Sequence, residues 1–142
     1  MKVLLINGSP HEKGCTYTAL SLIAKELNDA GVDTEILHVG GKPVGGCIGC
    51  GAAGNGCVFG GVVNEAIEKA KTADGFVFGS PVHYASASGN MTSFMDRLAY
   101  AGGRYLAYKP AAICCSARRA GTTTTLDQLV KYPQFFHMPL VN

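Results

Sequence analysis

The sequence predicts an α/β fold in which a mostly parallel, five-stranded sheet lies between helices, and three observations predict it. Short apolar runs recur along the chain, each bounded by Gly, Pro or polar residues, as buried strands are. Between them lie segments with one apolar face at helical spacing. The resulting order, β-α-β-α-β-α-β-α-β, needs crossover connections, and these join parallel strands in a sheet covered on both faces. At 142 residues the chain, 1–142, has the length of one compact domain.

The strands are "VLLIN" (3–7), "TEILHV" (34–39), "GFVFGS" (75–80), "AAICCS" (111–116) and "MPLVN" (138–142). The clearest helix is "TALSLIAKELNDAG" (18–31), where Leu20, Ile23, Ala24 and Leu27 make one apolar face and Gly31 suits the C-terminal cap. "VVNEAIEKAKTADG", "SGNMTSFMDRLAYAG" and "GTTTTLDQLVKY" supply three more. The sequence ends in the fifth strand without a final helix, which is the pattern of a fragment or of a chain with a further tail. A Gly-rich segment at about 40–60, "GGKPVGGCIGCGAAGNGCVFGG", is too long for an ordinary connection and reads as functional or disordered.

Composition narrows the function classes. Hydrophobic residues make up 47% and charged residues 15%, a globular profile rather than a disordered one. The net charge of +2, with Lys and Arg scattered singly apart from Arg118 and Arg119, argues against nucleic acid or membrane as a partner. No segment approaches the ~20 apolar residues of a membrane span, and "MKVLLINGSP" is too short in its apolar part for a signal peptide. A soluble cytoplasmic protein is the expectation. Its six cysteines are then thiols or ligands rather than disulfides, with Cys114 and Cys115 read as core residues.

In parallel sheets of this kind ligands bind outside the carboxyl ends of the strands, so the loops after strands one, three and four should build the site. In the first, "NGSPHEKGCTYT", Ser9, Thr16 and Thr18 offer hydroxyls, Gly14 permits close backbone approach, and a helix N-terminus aims N–H groups at an anion. The spacing matches neither G-x-G-x-x-G nor G-x-x-x-x-G-K-[ST], and a plain capped helix start would look the same. The second, "GSPVHYASASGNMTSFMDR", sets Pro81, Val82, His83 and Tyr84 at the sheet edge, with small residues 85–89 leaving room for something flat. The third, "CCSARRAGTTTT", adds Ser116, Gly121 and Thr122.

These three loops, in this order, resemble the NAD(P)H-dependent FMN reductase family of flavodoxin-like flavoproteins, and the likeness covers essentially the whole chain. The Ser-Pro-Val-x-Tyr segment leading into a Met- and Arg-containing helix is its most specific part. The resemblance implies a flavodoxin-like sheet of order 2-1-3-4-5 with helices on both faces, and FMN as cofactor with NAD(P)H as co-substrate. It implies that Ser9, His11, Thr16, Tyr17 and Thr18 hold the FMN phosphate. Pro81, Val82, His83 and Tyr84 would line one edge of the flavin, and Ser116, Ala117, Arg118 and Gly121 its other side. Where the family's third loop is Gly-rich this chain has Arg118 and Arg119, one of which would only face solvent.

The activity so implied passes electrons from NAD(P)H through FMN to a small acceptor such as a quinone, flavin, nitro or azo compound, the cofactor carrying the chemistry. His83 is the candidate catalytic side chain, either bonded to the flavin or packed beside it. Tyr84 either stacks on the ring or covers the sheet edge, and aromatic burial favours the second. Met91, Phe94 and Met95 read as core or subunit contacts, in keeping with a homodimer or homotetramer. A flavodoxin-type carrier would be strongly acidic, unlike this chain. A module binding a phosphorylated ligand without redox chemistry is the other alternative.

Cys47, Cys50 and Cys57 read C-x2-C-x6-C. The resemblance extends to iron–sulfur flavoproteins, where four cysteines in this region hold a [4Fe–4S] cluster. Here one thiolate is missing, with Ala52, Ala53 and Phe59 at nearby positions, and a zinc site would be one ligand short unless His38 or a partner chain supplied it. No metal is therefore expected. A redox-active disulfide or free thiols in a substrate-facing loop remain the alternatives.

Overall fold

The computed structural model describes residues 1–141. Four strands form one parallel sheet: β1 (Lys2–Asn7), β2 (Asp33–His38), β3 (Gly75–His83) and β5 (Ala111–Ser116), in spatial order β2-β1-β3-β5. The fifth strand expected at 138–142 begins in its predicted place beside β5. It is a single parallel bridge between Leu140 and Ala111, flanked by bonds from Ala111 N–H to Pro139 O and from Val141 N–H to Ala111 O. Asn142 lies outside the described residues.

The helices α1 (Cys15–Asp29), α2 (Val62–Thr72), α3 (Gly89–Gly102) and α4 (Thr122–Phe135) occupy the predicted positions. α1 starts three residues earlier than its apolar pattern, at the residue after Gly14. α4 runs past Tyr132 and takes Pro133 into its last turn.

Alternation along the strands divides the core. Leu4, Ile6, Phe76 and Phe78 point to the face packed by α2, α3 and α4, where Met91, Phe94, Met95 and Leu98 are fully buried. Leu5 and Val77 point to the other face, where they meet Leu20 and Ala24 of α1. The Met and Phe residues of α3 are thus core. Cys114 packs half-buried at the margin of the α1 side, and burial, with Cys115 beside it, pushes its thiol up to about 11.

The opposite end of the sheet is tied by charge. Glu35 of β2 accepts from Lys2 of β1 at 2.6 Å and from Lys69 of α2 at 2.5 Å, and these bonds hold its carboxyl below the ordinary value. A depressed folded value means that the pair stabilises the fold where the unfolded carboxyl is also ionised, and that this contribution is lost as pH falls through the folded value. We expect Glu35→Gln to unfold at lower urea concentration than the parent at neutral pH, and the gap to narrow as pH drops below about 4.5. A gap independent of pH would show that the ion pairs are not its source.

Candidate functional site

The site sits where the first turn after β1 is captured. Gly8 N–H donates to Gly79 O of β3 at 2.8 Å, and Ser88 Oγ, at the N-cap of α3, donates to Gly8 O at 2.7 Å. The fully buried Asn7 accepts from Ser9 N–H through Oδ1 and donates through Nδ2 to Glu12 O. His38 Nε2, from the end of β2, donates to Ser9 O at 2.8 Å. Gly40 presses so close to the same turn that a Cβ there would lie 2.1 Å from Ser9 O.

This grip fixes the approach to α1. Gly14 starts the helix without a side-chain cap, and no acidic residue stands in the first turn. Its leading N–H groups and the positive end of its dipole therefore face the 8–14 turn. Ser9 is buried, and its Oγ accepts from His11 N–H at 3.1 Å, keeping the hydroxyl inside the turn. Thr16 is buried in the first turn of α1, and its hydroxyl pairs with Ser116 Oγ at 2.8 Å. That bond joins the first and third predicted loops across 100 residues of sequence.

The second loop is a hairpin. After Val82 and His83 the chain turns through Tyr84 and Ala85 and returns as β4 (Ser86–Ala87), antiparallel to the end of β3. Both turn residues have positive φ, 51° and 59°, the geometry of a tight two-residue turn. For non-glycine residues this costs roughly 1–2 kcal/mol each, so other contacts must hold it. Thr124 Oγ1 donates to Ala85 O at 2.8 Å, and Gln128 Oε1 accepts from Ser86 Oγ and Ala87 N–H. Gly121, at φ 92°, lets the third loop touch the turn, since a Cβ there would lie 2.6 Å from Ala85 Cα.

The structure therefore brings Ser9, Thr16, Ser116, Val82 and Gly121 into one connected edge. Pro81 is half-buried beside them, whereas Ala117 and Arg118 are exposed, as is Arg119. His11 and Thr18 are exposed, Tyr17 is half-buried, and the Thr18 hydroxyl turns back to Gly14 O. Two expectations change. Tyr84 is fully exposed and does not cover the sheet edge, because the tight turn throws its side chain outward. The small residues 85–89 do not leave an open shelf, because Ala87 and Ser88 are buried in the hairpin and cap. His83 is exposed on the same hairpin.

Sequence reasoning missed Asn7, Ser88, Asn90 and Arg97, and it offered His38 only as a possible zinc ligand, whereas its ring is bonded to Ser9 O. Asn90 binds the start of the Gly-rich segment, donating to Gly40 O and Lys42 O and accepting from Val44 N–H. Arg97 is buried on the core stripe of α3, where it donates to Cys57 Sγ at 3.1 Å, Gly60 O at 3.2 Å and Gly45 O at 3.4 Å. Its spacing of three from Phe94 and four from Ala101 was the available signal. On the far side of the Ser9 turn, Pro10, Val44, Gly60 and Arg97 border a cleft of about 830 Å³.

A profile of the family described as NADPH-dependent FMN reductase matches residues 1–142. The chain belongs to that family. It is 33% identical over 99 residues to an iron–sulfur flavoprotein of Methanocaldococcus jannaschii, covering 68% of this chain and 51% of that protein. An iron–sulfur flavoprotein of Archaeoglobus fulgidus is 34% identical over 98 residues, covering 68% and 48%. The chain thus spans about half the length of the curated relatives it matches. Among solved structures, an apo NADH:FMN oxidoreductase superposes with TM-score 0.74 at 22% identity, covering 99% of this chain and 72% of that one. A flavodoxin from the domain Archaea superposes with TM-score 0.71 at 16% identity, covering 100% and 79%. These superpositions show the shared flavodoxin-like fold.

An FMN phosphate suits the uncapped α1 terminus and the hydroxyls around it. A [4Fe–4S] cluster does not suit the cysteine segment. Three cysteines supply one thiolate fewer than the cluster needs, and among the described residues no set of three or more Cys, His, Asp or Glu converges as metal ligands. The space that Cys47, Cys50 and Cys57 line is about 10 Å³, room for no more than a water.

The Ser9 turn makes its own test. Gly40→Ala should force a methyl into Ser9 O and destabilise the fold by about 1–3 kcal/mol. Urea unfolding measures the loss, and amide exchange should accelerate at Gly8 and Ser9. Unchanged exchange there would mean that Gly40 does not hold the turn.

Proposed function

We propose that the chain is the FMN-binding domain of an oxidoreductase that passes electrons from NAD(P)H to a small acceptor such as a quinone, flavin, nitro or azo compound. The observation that carries this reading is the Thr16–Ser116 bond, which locks the uncapped α1 terminus to the loop facing the 82–85 turn. An anion cradle and two walls for a flat ring become one body.

FMN, when bound, supplies the ring that takes and gives up the hydride. The protein's part is to hold and position it. The α1 N–H groups, the Ser9 hydroxyl and the Thr16/Ser116 pair hold the phosphate, with His11 and Tyr17 beside them. Only one proton of the Thr16/Ser116 pair is used in their mutual bond, so the other is free to donate. Pro81, Val82 and the exposed His83 and Tyr84 border the ring on one side, and Ala117, Arg118 and Gly121 on the other. His83, on a turn held at three points, would be the side chain that donates a hydrogen bond to the ring of bound FMN. The exposure of this edge fits a bulky co-substrate and a second acceptor using it in turn. The +2 charge and the incomplete cysteine set both count against a carrier of the acidic flavodoxin or iron–sulfur type.

The purified protein should take up FMN and turn yellow, and NADPH added without oxygen should bleach it. A carrier would bind FMN and stay yellow with NADPH, and a non-redox module would stay colourless. Ser9→Ala with Thr16→Val should weaken FMN binding by about a hundred- to ten-thousandfold, since each of the two hydrogen bonds lost to a charged group contributes about 1.5–3 kcal/mol. Fluorescence titration measures it, and unaltered affinity would move the phosphate elsewhere. His83→Ala should slow bleaching or shift the flavin potential, and unchanged values of both would remove His83 from the reaction.

A further inference from the structure

The cysteine segment is left unused by the flavin reading, yet it is held in place by specific contacts. Cys57 is held on both backbone groups by one side chain, its N–H donating to Asn64 Oδ1 at 2.7 Å and its carbonyl accepting from Asn64 Nδ2 at 3.0 Å. Its sulfur is held by Arg97, which is only 6% exposed and forms no salt bridge with a carboxylate among the described residues. A buried guanidinium is costly, and the partners of this one are a sulfur, two carbonyls and the face of Phe59 at 5.2 Å. Cys47 and Cys50 line the same small space as Cys57 and Arg97. Both are exposed, on a stretch, 44–50, without regular secondary structure, whereas Cys57 is half-buried and anchored.

We infer that residues 47–57 form a reversible thiol-redox site, in which Cys57 makes a disulfide with Cys47 or Cys50 and the oxidant is a small-molecule disulfide. The two kinds of thiol divide the work. An exposed thiol of the C-x2-C pair attacks the small disulfide, forming a mixed disulfide and releasing one small thiol. Cys57 then attacks the protein-side sulfur, forming the internal disulfide and releasing the second small thiol. The two protein thiols give up two electrons and two protons, and the small disulfide accepts them as two thiols. In the reverse direction Cys57 is the sulfur that leaves with negative charge, and the Arg97 guanidinium already donates to it. The missing fourth cysteine thus leaves a dithiol site where a cluster would need four ligands. The thiol site is independent of flavin binding, and mass and iron content report on it.

The test is to treat the reduced protein with oxidised glutathione and measure its intact mass. Loss of two hydrogens, with fragment mapping that joins Cys57 to Cys47 or Cys50, is the expected result. Cys57→Ser should stop at a glutathione adduct on Cys47 or Cys50, and a Cys47–Cys50 disulfide, in that variant or in the wild type, would overturn the inference. Arg97→Met should slow reopening of the disulfide by dithiothreitol about tenfold, as loss of a charge-assisted bond to the leaving sulfur does. If that variant fails to fold, Arg97→Lys keeps the charge and should give an intermediate rate. A disulfide through Cys15, Cys114 or Cys115, or a wild-type protein that keeps only adducts, would overturn the inference. So would uptake of four irons per chain on anaerobic reconstitution with ferrous iron and sulfide.

Discussion

The capture of the Gly8–Ser9 turn is the constraint on which the site depends. A strand entering a helix through a short polar turn has backbone groups that neither element satisfies, and buried groups of that kind must find partners. Here every neighbour of β1 supplies one. β3 gives Gly79 O, the α3 cap gives Ser88 Oγ, β2 gives His38, and β1 itself gives Asn7. The turn is therefore set by the packing of the sheet rather than by its own sequence, and the direction of α1 follows from it.

From that turn the rest of the edge follows by contact. α1 carries Thr16 to Ser116, so the third loop inherits the position of the first. Gly121 carries the third loop against Ala85, and Thr124 and Gln128 of α4 hold the 82–87 hairpin. The positive φ of Tyr84 and Ala85 is the strained part of this chain of contacts, and it lies where His83 and Tyr84 are presented to solvent. A rigid rear and an exposed front are what a cofactor that carries its own chemistry requires of its protein.

Much of this was legible in the sequence because it is periodic. Alternation of Leu4, Leu5 and Ile6 and the 91-94-95-98 spacing of α3 place the core, and their order places three loops at one edge. What escaped is what periodicity does not encode. Asn7 lies inside an apolar strand and acts on the turn beyond it. His38 reaches Ser9 only because β2 pairs with β1 in one register. The hairpin at 84–85 carries no glycine, the usual marker of such a turn, and is imposed by α4 from about 40 residues away. Among the described residues, the edge strand near Leu140 is a single bridge, less than its apolar run suggests.

Family membership and fold do not by themselves place a cofactor, and the cleft beyond the Ser9 turn is a competing location on the same sheet edge. Mapping backbone amide shifts by NMR as FMN is added separates the two most directly. FMN seated on the α1 terminus should give the largest shifts at residues 8–17, 82–86 and 116–122 together, with those of 14–17 matched by inorganic phosphate alone. Shifts centred instead on residues 41–44 and 59–62, with 14–17 unmoved, would contradict that placement.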